Sequence, residues 1–158
     1  MATLQQLFIF NMIDLATQED LTEINQLIET IFTQETLTKI TTEGYDNFLR
    51  FISQSSLLQR MEGGSKIWLY KMNLELVGVL EINQKNHIFL YFVKKQYRGK
   101  KIGKTLFNHV KNEVSGDITA NSTDYALPIY QKLGFVQTGI PINCGGIIVS
   151  PVIFRQKP

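Results

Sequence analysis

Cysteine is nearly absent from this 158-residue chain, where Cys144 stands alone. One thiol excludes an intrachain disulfide and any multi-cysteine zinc or iron–sulfur site. Proline is scarce, at four residues, and no stretch is rich in Pro, Gly or Ser, so no linker divides the chain. No repeat or low-complexity segment occurs. Apolar runs stay well short of the roughly 18–20 residues of a membrane-spanning helix. The first 38 residues contain no Lys or Arg. The apolar patch Leu7 to Phe10 therefore lacks the basic flank of a secretion signal, and a cytoplasmic protein is expected.

What remains fits one domain spanning 1–158, of a size that folds without a disulfide or a metal. Hydrophobic residues at 44% and charged residues at 19% argue for a packed core and against disorder. The net charge of +2 hides an asymmetry. Residues 1–38 carry six acids, Asp14, Glu19, Asp20, Glu23, Glu29 and Glu35. Residues 94–104 carry six bases and no acid: Lys94, Lys95, Arg98, Lys100, Lys101 and Lys104. Such a cluster attracts a polyanion, whether a nucleotide-like ligand, a nucleic acid or an anionic surface; a solvated helix start is the plain alternative.

The patterning predicts a mixed sheet with helices on its faces. Leu7 to Ile13 reads as a first strand. Thr17 to Asp20 resembles a capping box, and Leu21, Ile24, Leu27, Ile28 and Ile31 follow with helical spacing. A second helix is expected from Tyr45 through Ile52 to Met61, ended by Gly63-Gly64. Lys66 to Met72, Leu76 to Ile82 and His87 to Val93 read as three strands with short turns, hence an antiparallel meander. The third is apolar along most of its length, so both its faces are covered and it is central. Ile102, Leu106, Val110 and Val114 share a helix face. Asp117 to Ala120 reads as a strand and Asp124 to Leu133 as a helix, with Gly134 just past its end. Phe135 onward and Ile147 to Phe154 close the order, joined by a turn at Asn143 to Gly146.

The chemistry sits where the central strand feeds the loop Arg98-Gly-Lys-Lys-Ile-Gly103, which opens a helix. The first N–H groups of a helix have no internal partner and carry partial positive charge. Added cations and small residues make the loop suited to a pyrophosphate, although a tight strand–helix turn needing glycine explains the same residues. Gly99 to Thr105 comes near the phosphate-binding loop G-x-x-x-x-G-K-[ST] but is one residue short, which spoils the cradle. No Asp ends an apolar strand downstream to hold Mg²⁺.

A later segment, Ala126…Ile129-Tyr130-Gln-Lys-Leu-Gly-Phe135, completes a pattern. With the loop before it, the chain resembles the GNAT superfamily of acyl-CoA-dependent N-acyltransferases. That family shows [QR]-x-x-G-x-[GA] after the fourth strand and A-x-x-[LFI]-Y-x-x-x-G-F downstream. The resemblance covers most of the chain and is sharpest from His87 to Phe135. Lys101 departs from it, standing where the family has Gly. A helical backbone at Lys101 is expected to keep its N–H available; a requirement for positive φ there would not be met.

The resemblance implies an α/β fold with a mixed, mostly antiparallel central sheet of about seven strands. It implies a bulged fourth strand splayed from the fifth, with acetyl-CoA in the gap and no metal. Its pantetheine arm maps to the backbones of Tyr91, Phe92 and Val93. Its pyrophosphate maps to Arg98, Gly99, Lys100, Lys101, Ile102 and Gly103, helped by Lys104. Asn121 or Ser122 would bond the pantetheine amide. Tyr130 falls at the family's general-acid position, and an amine attacks the thioester directly. The base stays open between Glu81, acting directly or through water, His87 and Glu35. His109 and Cys144 draw no role, since Cys144 has no paired His. The partner implied is a small-molecule or peptide amine, with no nucleic acid or membrane, and a homodimer stays open. The acidic 1–38 segment suggests recruitment of a cationic amine. Two other readings survive: an inert acyl-CoA-binding or regulatory module on the same fold, and a nucleic-acid-binding domain using the 94–104 cluster, which lacks a groove-reading helix.

Overall fold

The computed structural model describes residues 10–36 and 40–157. The chain begins with strand β1 (Asn11–Leu15) and helix α1 (Leu21–Thr36), then α2 (Thr42–Phe51) and α3 (Gln54–Glu62). Strands β2 (Lys66–Met72), β3 (Glu75–Ile82) and β4 (His87–Val93) follow as the expected meander. Helix α4 (Ile102–Glu113), β5 (Ile118–Ser122), α5 (Leu127–Leu133), β6 (Val136–Gln137), β7 (Ile142–Cys144) and β8 (Ile147–Phe154) complete the chain. The strands form one eight-stranded sheet in the order β1-β2-β3-β4-β5-β8-β6, with β7 on β8. Among the described residues only the β4–β5 pairing is parallel.

Two cores lie on the two faces of the sheet. Leu21, Ile24, Ile28 and Ile31 of α1 and Leu57 of α3 pack on Ile67, Leu69, Val79 and Leu90. On the other face Ile102, Leu106, Phe107 and Val110 of α4, with Tyr130 and Phe135, pack on Val77, Leu80, Ile88, Ile118 and Val152. The α4 stripe is the one read from its four-residue spacing.

Several boundaries differ from the sequence reading. The first strand runs to Leu15, two residues beyond Ile13; Leu7, Phe8 and Ile9 fall outside the described residues. The Asp20 carboxylate does accept the Thr17 backbone N–H, at 2.8 Å, as the capping box requires. The single helix expected from Tyr45 to Met61 is two. Ser53 accepts from Ser56 N–H at 3.3 Å and starts α3 afresh, a local bond that competes with helix continuation. Helix α5 starts at Leu127, not Asp124, with Pro128 in its first turn, where a missing N–H costs nothing. Gly134 ends it at φ 106°, as expected. Strand β6 is only two residues long.

Cys144 and Ile147 pair across Gly145-Gly146, whose φ values of 62° and 97° make a tight two-residue hairpin. This β7–β8 tip docks on the start of α2. Asn47 Nδ2 donates to the Gly145 carbonyl at 2.8 Å, and Thr41 Oγ1 donates to that of Gly146 at 3.4 Å. A Cβ on Gly44 would stand 2.5 Å from the Gly146 carbonyl oxygen. Gly44→Ala is therefore expected to cost about 1–3 kcal/mol as the hairpin is pushed off, read as a lower melting temperature.

Candidate active site

A register slip makes the site. Glu81 of β3 faces Leu90, but its neighbour Ile82 faces Ile88, so Phe89 is an extra residue in β4. This β-bulge bends the strand and ends pairing. The parallel ladder to β5 consists of His87↔Thr119 and Ile88↔Ala120, immediately before the bulge. Beyond it β4 and β5 diverge. Lys94 N–H donates to Val77 of β3 at 2.8 Å. Strand alternation then turns the backbone of Val93 and Tyr91 to the open side and that of Phe92 toward β3.

A cavity of about 1000 Å³ passes through this gap. On the α4–α5 side its walls include Ile102, Gly103, Ala126, Tyr130 and Leu133; on the α1–α2 side, Phe32, Phe48, Phe51, Phe89 and Phe92. Two molecules can enter from opposite faces of the sheet and meet where β4 and β5 part.

At the α4 end, the backbone of Ile102, Gly103 and Lys104 forms a first helical turn, whose N–H groups have no helical acceptor. Gly99 has φ 78°, and an added Cβ would meet nothing within 4 Å, so its conformation rather than space calls for glycine. Gly103 is needed for space: its Cβ would stand 3.2 Å from the Tyr91 hydroxyl, which donates to the Gly103 carbonyl. Lys101 corrects an expectation. It is not helical but left-handed, at φ 64° and ψ 16°, as the N-cap of α4. The family's Gly at this position matches a positive-φ conformation, which the lysine here adopts at a cost of about 1–2 kcal/mol. Lys101→Gly is expected to raise the melting temperature by about 2–8 °C.

Lys101 and Lys104 line the cavity, whereas Lys100 lies over the Tyr97 ring, 5.4 Å from its centroid. The Arg98 guanidinium is engaged within the protein: Nε donates to the Val93 carbonyl at 3.1 Å, Nη1 donates to the Tyr125 hydroxyl at 2.8 Å, and Nη1 pairs with Glu35. It braces the end of α1 to the end of β4.

Tyr130 is buried, with its ring edge-on to Tyr91 and Phe135 at 5.9 and 5.0 Å. Its hydroxyl has no hydrogen-bond partner among the described residues. Burial pushes both Tyr130 and Tyr91 above the ordinary tyrosine range, so each stays a phenol. Asn121 lines the cavity; Ser122 is buried and donates to the Thr123 carbonyl at 2.8 Å.

The three base candidates part company. Glu81 is fully buried and takes Arg60 Nε and Nη2 at 2.7 and 3.0 Å and Ser65 Oγ at 2.9 Å. It does not line the cavity. These partners hold the carboxylate away from the cavity lining, which sets a structural role beside the catalytic one expected for it. His87 also lies outside the lining, bonded through Nδ1 to Thr119 Oγ1 at 2.8 Å, and burial lowers its pKa. Glu35 does line the cavity, in its pair with Arg98. The bulged fourth strand is the one the resemblance implied, while brace, aromatic wall and hairpin clasp all escaped the sequence reading. The clasp alone left a signal, in the Gly145-Gly146 turn.

The acetyltransferase (GNAT) domain family matches residues 36–153. Among solved structures, PaiA N-acetyltransferase from Thermoplasma acidophilum, in complex with coenzyme A, superposes with a TM-score of 0.76 at 18% identity, covering 94% of this chain and 100% of that one. An acetyltransferase of the GNAT family from Staphylococcus aureus Mu50 gives 0.73 at 21% identity, with 94% and 100% covered. YncA from Salmonella typhimurium, with its cofactor acetyl-CoA, gives 0.66 at 15% identity, with 94% and 95% covered. No curated protein sequence matches. The chain belongs to the GNAT acetyltransferase family, and its mixed sheet and helices match that fold. Among the described residues no cluster of three or more His, Cys, Asp or Glu suits a metal, and no helix is long and apolar enough to cross a membrane.

Proposed function

We propose that this protein is an N-acetyltransferase that moves an acetyl group from acetyl-CoA to a primary amine by direct attack, with Tyr130 as general acid. The observation that carries the reading is a protonated, unpartnered Tyr130 hydroxyl on the wall of a gap open to both faces of the sheet. The donor fits that gap. The open backbone edge of Tyr91 and the Val93 N–H suit the pantetheine amides as an added strand would, with Asn121 opposite; the Val93 carbonyl is taken by Arg98 Nε. The first-turn amides of α4 with Lys101 and Lys104, and Lys100 beside them, suit the pyrophosphate. Arg98 is assigned to bracing rather than to phosphate binding.

Acetyl-CoA, when bound, supplies the thioester carbonyl that the amine attacks. A β4 backbone N–H, from Tyr91 or Val93, donates to the carbonyl oxygen as charge gathers there. The amine nitrogen bonds to the acyl carbon, the carbon–sulfur bond breaks, and Tyr130 gives its proton to the departing sulfur. The nitrogen's proton goes to water, and solvent reprotonates Tyr130. Binding both reactants across one gap supplies much of the remaining rate.

With the one lining carboxylate held by Arg98, kcat/KM is expected to rise with pH until the acceptor's own pKa and then stay level. Tyr130, held above its ordinary value of 10, adds no falling limb below that pH. A pH–rate profile checks this; a rising limb that stays at one pH for every amine points instead to a base on the protein. The donor is tested by thermal stability. A ligand at about 100 times its Kd adds roughly 2.7 kcal/mol, which raises Tm by about 5–10 °C at this size. Acetyl-CoA is expected to do so and Mg-ATP is not. A rise with Mg-ATP alone contradicts the reading.

A further inference from the structure

From the aromatic α1–α2 wall of the cavity we infer that the acceptor is a small amine borne on an uncharged, apolar or aromatic group, with Phe89 as the residue that selects it. The inference rests on the acetyltransfer reading above and names the substrate class of that same site.

The wall is a continuous set of rings. Phe32 stacks on Phe48 at 3.9 Å between centroids, Phe48 meets Phe92 at 6.1 Å and Phe51 at 6.4 Å, and Phe51 meets Phe89 edge-on at 5.7 Å. Phe51 is fixed from behind by the Arg60 guanidinium, 3.8 Å above its ring, and Arg60 is fixed by Glu81. The partly buried Arg60, paired with the buried Glu81, thus stiffens the aromatic wall from outside it. Phe89 is the bulged residue, and at 36% exposure it is an accessible ring rather than a core one. The bulge that ends the β4–β5 ladder also turns this ring into the cavity, beside the point where the strands part. Opposite, the β7–β8 hairpin adds Cys144, Ile147 and Val149, held over the lobe by the Gly44–Gly146 contact.

Charge points the same way. Of the acids in the N-terminal segment only Glu35 lines the cavity, and Arg98 neutralises it. Among the described lining residues every other formal charge is positive: Arg98, Lys101, Lys104 and Lys132. Lys101 and Lys104 lie at the α4 end assigned to the pyrophosphate. A polycation finds no free carboxylate among the described lining residues, which speaks against recruitment by the acidic segment. An apolar amine finds rings, and the apolar lobe favours its neutral, nucleophilic form by disfavouring the ammonium.

The test measures kcat/KM with acetyl-CoA for 2-phenylethylamine and isoamylamine against spermidine and lysine amide, on the wild type and on Phe89→Glu. A buried phenyl ring is worth about 30–100-fold, so the apolar amines are expected to lead by that factor. Phe89→Glu is expected to lower the phenylethylamine value at least tenfold and raise that for lysine amide, while the Tm rise with acetyl-CoA shows the variant folded. A wild-type preference for spermidine or lysine amide overturns the inference and leaves acetyltransfer standing. An unchanged ratio in folded Phe89→Glu overturns the selecting role of that ring. No turnover of any of the four amines, with the acetyl-CoA shift intact, overturns the acetyltransfer reading and this inference with it.

Discussion

Tyr130→Phe is expected to lower kcat by about 10²–10⁴-fold while leaving the KM for acetyl-CoA and the melting temperature close to wild type. The size is that of one well-placed proton transfer. The specificity of the effect follows from the surroundings. The ring does the packing, against Tyr91 and Phe135, and phenylalanine keeps it. The hydroxyl has no partner among the described residues, so removing it orphans nothing in the resting protein. A loss confined to kcat is then a loss of chemistry. Tyr91→Phe is the matched control. Its hydroxyl donates to the Gly103 carbonyl, so its removal is expected to cost about 1 kcal/mol of stability and far less rate. Steady-state kinetics on the two variants separate acid from neighbour; equal kcat losses would remove Tyr130 from the proton transfer.

The largest stability effect is expected at the opposite face of β3. Arg60→Ala leaves the Glu81 carboxylate buried with Ser65 as its remaining partner, and such uncompensated charges cost about 3–5 kcal/mol. For a chain of this size that lowers Tm by about 10 °C or more. The double replacement Arg60→Met with Glu81→Leu removes both charges and is expected to recover most of it. Glu81→Gln separates structure from catalysis. A structural carboxylate predicts a lower Tm with kcat per folded molecule within a few-fold of wild type. A catalytic one predicts the reverse, an intact Tm and a kcat lowered about a hundredfold or more.

Glu81 also marks where the sequence stops being legible. It sits in an otherwise apolar strand that is buried from Leu76 to Ile82, and its partner Arg60 lies on a helix whose separate existence depends on the Ser53 cap. Periodicity ran the two helices together because Phe48, Leu49, Ile52, Leu57 and Leu58 keep an apolar spacing across the break. The meander, the covered central strand and the α4 stripe were readable because each rests on a local period. The loop from Arg98 to Gly103 was readable because its glycines and cations are contiguous. Its geometry was not: Lys101 takes the positive φ that a lysine ordinarily avoids, and Arg98 turns inward to Glu35, 63 positions away in the chain. Nothing local announces the Phe89 bulge, which is a register relation between two strands, yet it opens the gap on which the proposed chemistry depends. The aromatic wall likewise assembles from α1, α2 and β4, three segments with separate local patterns.

The measurement that bears most directly on the proposed activity is product mass. The protein is incubated with acetyl-CoA carrying a deuterated acetyl group and with an equimolar mixture of the four amines, and free thiol is followed alongside. The account predicts a deuterium-labelled amide, formed together with one equivalent of CoA thiol and suppressed in Tyr130→Phe. Thiol release without a labelled amide, or a labelled amide formed at full rate by Tyr130→Phe, would contradict it.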